Sequence, residues 1–176
     1  MEQVRKCVLY IAMSLDGYIA DENGGIGWLI EQEGDGGDNG YSEFIKTIDT
    51  IIMGKTTYEQ VLGFGEWLYK GKKCYVYSRK EKGNNDKVEF TDQKPSDLIR
   101  SLKAQKGGDI WLEGGSLSAD PFIKENLIDE FIIAIIPVIL GKGIPLFLPD
   151  NPRIKLKLEK TVNLGEIVQL FYIPQK

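Results

Sequence analysis

Residues 110–116, Ile110-Trp111-Leu112-Glu113-Gly114-Gly115-Ser116, hold the key to how this chain is read. Three apolar residues in succession read as a buried strand, and an acid followed by two glycines ends it abruptly. Alone, a Gly-Gly pair marks a tight turn. It gains meaning if other strands end in a similar way, because ligands of an open α/β sheet lie outside the carboxyl ends of its strands.

Two other apolar runs do end that way. Residues 8–13 read as a strand bounded by Ser14 and the Asp16-Gly17 turn signal, and residues 51–53 read as a strand that delivers the chain to Gly54-Lys55-Thr56-Thr57. Further strands are expected at 73–78, 88–90, 109–112 and 130–136, and helices at Tyr41, Phe44, Ile45 and Ile48, at 95–105 with Ser96 as N-cap, and around Phe122, Ile123 and Leu127. The tail reads as two antiparallel strands, 153–161 and 166–173, joined at 163–165. Strand and helix alternate before that pair. The predicted fold class is therefore α/β, one domain with a mostly parallel sheet and an antiparallel C-terminal edge.

Glycines at two of these junctions would let backbone approach a ligand closely, and helix N-termini offer unpaired N–H groups to a pyrophosphate. Gly54, Lys55, Thr56 and Thr57, with Gly114, Gly115 and Ser116, are the predicted phosphate contacts. The competing reading is that Thr56 caps its helix and Lys55 is solvated. At a third strand end Tyr77-Ser78-Arg79-Lys80 places a hydroxyl before two cations, which suits an extra phosphate and favours NADPH over NADH; a plain basic turn is the alternative. There is no GxGxxG fingerprint. Pro121 is expected to open its helix at the first position with Asp120 as N-cap, which would leave phosphate binding to loop amides.

Composition narrows the chemistry. The 176 residues contain no histidine, which removes Ser-His-Asp catalysis, His-Cys zinc sites and an imidazole base. A formal net charge of −4 and a pI near 5.0 argue against nucleic acid as a partner. The first apolar run is too short, and too soon interrupted by Asp16, for a signal peptide or membrane span, so a cytoplasmic protein with no membrane partner is expected. Cys7 and Cys74 both lie in strand-like runs and read as reduced, buried thiols. Residues 21–40 form a long glycine-rich stretch around the apolar island Trp28-Leu29-Ile30, either a functional loop or a disordered insertion.

Five segments in this order, YIAMSLDGYIADENGGIGW, DTIIMGKTTYE, YVYSRK, IWLEGGS and LIDEFIIAIIPVILGKGIPLF, resemble the dihydrofolate-reductase-like superfamily. The likeness is to its branch of stand-alone relatives of the reductase domain in the bacterial riboflavin-biosynthesis deaminase/reductase. It implies a sheet of about eight strands flanked by helices, and NADPH as cofactor. It places Gly54, Lys55, Thr56 and Thr57 on the phosphates and Ser78 with Arg79 near the 2′-phosphate. Gly114, Gly115, Ser116 and Leu117 would line the pyrophosphate and nicotinamide ribose together with Glu113. Ala12 would meet the carboxamide, and residues 21–28 would be a mobile loop over the nicotinamide. Dihydrofolate reductases carry a substrate-holding carboxylate early in the helix after that loop; here Asp38 and Glu43 are the candidates.

The function expected is hydride transfer from NADPH to a pteridine-, pyrimidine- or ribosylamino-pyrimidine-type small molecule. Glu113 is the first candidate for a catalytic carboxylate and Asp16 the second, with turn chemistry beside Gly17 as the competing role. Trp28, Trp67 and Tyr41 are candidate stacking walls, or core. The alternative is a binding module that holds NADPH or a pterin without turnover; compatible with either is a homodimer built by the β-branched strand 130–136, and residues 141–147 read as a loop fixing the sheet edge or a dimer contact.

Overall fold

The computed structural model describes residues 4–31 and 37–175. In chain order the first half contains β1 (Cys7–Ser14), β2 (Tyr18–Ala20), α1 (Gly27–Ile30), α2 (Tyr41–Thr47), β3 (Ile48–Gly54), α3 (Lys55–Gly63), β4 (Lys73–Tyr77), β5 (Gly83–Asn84) and β6 (Glu89–Thr91). The second half contains α4 (Pro95–Lys103), β7 (Asp109–Glu113), α5 (Ser116–Lys124), β8 (Glu130–Ile136), β9 (Ile144–Pro145), β10 (Leu156–Leu164) and β11 (Ile167–Pro174).

Among the described residues nine strands form one sheet in the order β10-β11-β8-β1-β7-β3-β4-β6-β5. The strands from β8 to β6 run parallel, while β10, β11 and β5 are antiparallel additions at the edges. The count exceeds the eight expected. Gly83-Asn84 is too short and polar to leave a periodic signal, yet it pairs with β6. The short β2 and β9 pair separately.

Successive side chains of the central strands enter different cores. Cys7, Leu9, Ile52, Ile110 and Leu112 pack with α4 and α5 through Leu98, Leu102, Phe122 and Ile123. Ile51, Met53, Cys74, Val76 and Trp111 face α2 and α3 instead, packing with Phe44, Ile45, Tyr58 and Val61. The result is helix, sheet, helix. At the amino ends of the strands the buried Arg5 guanidinium bonds Asp49, Thr50 Oγ1 (2.7 Å) and the carbonyls of Leu102 (3.0 Å) and Gly108 (2.6 Å).

Two helix starts differ from expectation. In α4 the N-cap is Lys94, and Pro95 takes the first turn, where its fixed φ and missing N–H cost nothing; Ser96 lies inside the helix. In α5 the helix starts at Ser116 with Gly115 as N-cap, and Pro121 is internal. Pro121 gives up the bond to the carbonyl of Leu117, a residue that is 82% exposed. The Gly-Gly pair therefore leads straight into a helix. Strand β10 continues to Leu164, and the hairpin turn is Gly165 at φ 64° with Glu166. Among the described residues no helix is long and apolar enough to cross a membrane.

Candidate active site

Because β7 lies between β1 and β3, the three unusual strand ends stand side by side. Above them is a cavity of about 370 Å³. Tyr10, Ile11 and Ala12 come from β1, Trp111 and Glu113 from β7, Thr56, Thr57 and Gln60 from α3, and Gly114, Gly115, Ser116, Leu117 and Ser118 from the start of α5. Ile19 of β2, Gly24 and Ile26 of the loop that follows, and Leu29 of α1 close it. A second cavity of about 260 Å³ shares Thr56, Leu117 and Ser118 with the first and extends past Gly54 and Lys55 to Tyr77, Pro95, Pro121 and Phe122. Together they make a groove over the ends of β1, β7, β3 and β4.

Glu113 is the ionisable group at its centre. It shares the side of β7 that carries Trp111, and its Oε1 accepts a hydrogen bond from the Tyr69 hydroxyl. Its Oε2 is buried and has no hydrogen-bond partner among the described residues. Burial pushes its pKa up to about 7, while the Tyr69 hydrogen bond pulls it down. A carboxyl poised there can hold a proton near neutral pH and release it.

On either side of Glu113 two helices begin on a glycine N-cap with no side-chain cap, Gly54 for α3 and Gly115 for α5. Their first amides lack intrahelical partners and can receive an anion. The glycines also have an internal reason. A Cβ at Gly54 would run into Ser118 Oγ, and one at Gly114 (φ +154°) would lie 3.3 Å from Ser118 Cβ and 3.4 Å from Thr57 Oγ1. The glycines thus allow α5 to dock against β3 and α3.

Side-chain donors are less available than the sequence suggests. Ser116 Oγ donates to the Pro145 carbonyl and is buried. Lys55 pairs with Glu81 and, at 3.6 Å, with Glu59. Ser78 donates to Glu81. Thr56 and Thr57 line the groove, Ala12 is at its wall, Leu117 is exposed beside it, and Arg79 is exposed past the end of β4.

Asp16 is not brought to the groove. Its carboxylate accepts from Ser14 Oγ (2.7 Å) and from the amides of Leu140 (3.1 Å) and Gly141 (2.8 Å), and the Ser14 bond above all holds its pKa low. It clamps the turn after β1 to the loop after β8, which is the turn chemistry weighed against catalysis. Trp28 packs in a third apolar cluster with Ala134, Ile136 and Ile167, its Nε1 buried without a partner among the described residues. Asp38 accepts the amides of Gly40 (3.1 Å) and Ser42 (2.7 Å), organising the start of α2, and lines a cavity of about 240 Å³ with Tyr10, Ala12 and Leu29, all three shared with the main groove. Glu43 is exposed, pairs with Lys46 at 2.5 Å and faces a different groove beneath α2. Tyr41 meets Trp111 edge-on, and Trp67 meets Tyr58 and Tyr69 edge-on, so both are core partners rather than open walls. Of the glycine-rich stretch 21–40, residues 32–36 lie outside the described residues.

Sequence reading missed Tyr69, Ser118 and Glu81. Nothing near Tyr69 or Ser118 announces a partner forty or more positions away. Glu81 had a local signal, the Ser-x-x-Glu spacing from Ser78.

Residues 5–170 match the RibD C-terminal domain. The chain is 47% identical over 171 residues to YwjB of Bacillus subtilis (strain 168), covering 96% of this chain and 98% of that protein. A crystal structure from Shewanella sp. PV-4, provisionally assigned to riboflavin biosynthesis, superposes with a TM-score of 0.87 at 32% identity, covering 97% of this chain and 99% of the other. The fold alone is shared with two more distant structures. One is the diaminohydroxyphosphoribosylaminopyrimidine deaminase/5-amino-6-(5-phosphoribosylamino)uracil reductase of Thermotoga maritima (TM-score 0.73, 19% identity, 97% of this chain and 57% of that one). The other is the dihydrofolate reductase of Enterococcus faecalis complexed with NADP(H) (TM-score 0.67, 15% identity, 99% of each).

Proposed function

Since this chain belongs to the RibD C-terminal domain family, we propose that it is a reductase that uses NADPH to reduce a small pteridine-, pyrimidine- or ribosylamino-pyrimidine-type substrate. The observation that carries this reading is the Glu113 carboxyl, poised near neutrality at the floor of a groove flanked by two glycine-led helix N-termini.

The residues present fit such a cofactor. The groove has an apolar pocket at each end, a bare helix start on either side of Glu113, and at the β4 end a buried Tyr77 hydroxyl without a hydrogen-bond partner. The amides of Lys55, Thr56, Ser116 and Leu117 would hold the phosphates, Ala12 and Gly115 the nicotinamide end, and Ser78 with Arg79 the far ribose. When bound, the reduced nicotinamide supplies a hydride. The protein's part is to exclude water with Ile19, Ile26 and Leu29, to hold a flat substrate beside Trp111 and Tyr10, and to keep a proton on Glu113.

The test has two stages. Titration with NADPH, followed through the three tryptophans, should show saturable binding. Substrates of these classes are then screened for loss of reduced nicotinamide. Glu113→Gln should bind NADPH as the parent does and turn over about 100-fold more slowly. Full turnover by that variant removes Glu113 from the chemistry, and binding without turnover of any substrate supports a binding module instead.

A further inference from the structure

The carboxylate of Glu81 pairs with Lys55, the cation that lines the β4 end of the groove. Gly54 and Tyr77 are register partners in adjacent parallel strands, so Lys55 and Ser78 leave the sheet next to each other. Glu81 bridges them, pairing with Lys55 through Oε1 and accepting from the Ser78 hydroxyl through Oε2. The turn is closed in return, because Ser78 Oγ accepts the amides of Glu81 (3.0 Å) and Lys80 (3.2 Å). Beside this knot lies the 260 Å³ cavity, whose apolar lining of Tyr77, Pro95, Leu117, Pro121 and Phe122 suits a flat aromatic ring.

We propose that Glu81 is an internal anion in the place where a ribose 2′-phosphate would bind, and that it narrows the preference of this chain for NADPH over NADH. The inference rests on the nicotinamide-cofactor reading above. The ammonium and hydroxyl that would otherwise receive a 2′-phosphate are already engaged by a carboxylate. A phosphate must displace that carboxylate or sit against it, whereas a free 2′-hydroxyl can donate to it, as the ribose hydroxyl does to the acidic residue of NAD-binding Rossmann proteins. Lys55 and Ser78 draw the Glu81 pKa down to about 2, so the competitor stays charged throughout the neutral range. Arg79 and Lys80 are exposed next to it and supply an attraction that salt screens.

The experiment measures binding without turnover. The full chain, Glu81→Gln and Glu59→Gln are titrated with adenosine 2′,5′-bisphosphate, 5′-AMP, NADPH and NADH by calorimetry at low and moderate salt. Glu59, the other carboxylate within reach of Lys55, is the control for loss of charge alone. Glu81→Gln should bind the 2′-phosphorylated ligands about tenfold more tightly while 5′-AMP and NADH hold or weaken, a gain that corresponds to about 1.4 kcal/mol. Glu59→Gln should leave the ratio unchanged. Equal changes for both ligand classes, no change in either, or the same ratio shift in Glu59→Gln would overturn the assignment. If the parent binds none of the four, the cofactor reading itself fails and Glu81 falls with it. Unaltered thermal unfolding of Glu81→Gln guards against a folding artefact.

Discussion

The Tyr69 hydroxyl donates to Glu113 Oε1 and leaves Oε2 as the unpartnered atom of a carboxyl that lines the groove. Tyr69 is itself 3% exposed and is fixed edge-on between Trp67 and Trp111, so the donor cannot easily turn away. Burial, and after it the Glu113 charge, pushes up the pKa of Tyr41 on α2 and of the Cys74 thiol on β4. The Tyr69 hydrogen bond holds the carboxyl in one orientation and moderates the effect of burial on it.

Tyr69→Phe should therefore raise the Glu113 pKa further, since the hydrogen bond it removes favours the ionised form. The pH profile of the reduction should move toward alkaline pH by roughly one unit, the value of a charge-assisted hydrogen bond of about 1.5 kcal/mol. A fall in rate with an unmoved profile would limit Tyr69 to packing.

Stability should carry the same signature. Glu113 has a raised pKa, so the folded protein holds a proton that the unfolded chain releases above about 4.5. Its contribution is complete below that value and is lost as pH rises to about 7 and beyond, a total of about 3 kcal/mol. Urea unfolding between pH 4.5 and 8 should show this decline in the parent and a flatter curve in Glu113→Gln, which keeps the shape without the charge.

Gly54→Ala should destabilise the fold by about 2 kcal/mol, because its Cβ meets Ser118 Oγ in a packed seam. Removing that oxygen leaves Ser118 Cβ at 3.4 Å, an ordinary contact. Ser118→Ala should therefore rescue most of the loss in the double variant, as a thermal-unfolding cycle would measure. Additive losses would mean that the glycine serves only the backbone or a ligand.

At the opposite end of the sheet, Arg5→Met should cost about 3 kcal/mol. The variant removes the donor shared by Asp49, Thr50 and the carbonyls of Leu102 and Gly108, so β1, β3 and the turn before β7 lose their common anchor. Ligand binding at the far ends of those strands should persist under conditions where the variant is folded, which separates stability from function.

The chain's own pattern was enough for the α/β class, the parallel core and the three strand ends that meet in the groove. Those features follow from short apolar runs punctuated by glycine and turn residues, and β8 was read with its boundaries at Glu130 and Ile136. The absence of histidine, and Glu113 ahead of two glycines, pointed to the central carboxyl for the same local reason.

What tertiary structure decided was what each polar group has left to offer. Asp16 and Asp38 are spent on backbone amides, Ser116 on Pro145, and Lys55 with Ser78 on Glu81. Pro121 lies inside a helix at the cost of one hydrogen bond, and Gly54 and Gly114 are required partly by Ser118 of α5. Glu113 owes its raised pKa to burial by residues distant in sequence, tempered by the Tyr69 hydrogen bond. Apolar periodicity is a local property and can be read along the chain. Hydrogen-bond satisfaction, burial and the ionisation they govern depend on which distant residues arrive at the same place, and only the packed fold determines that.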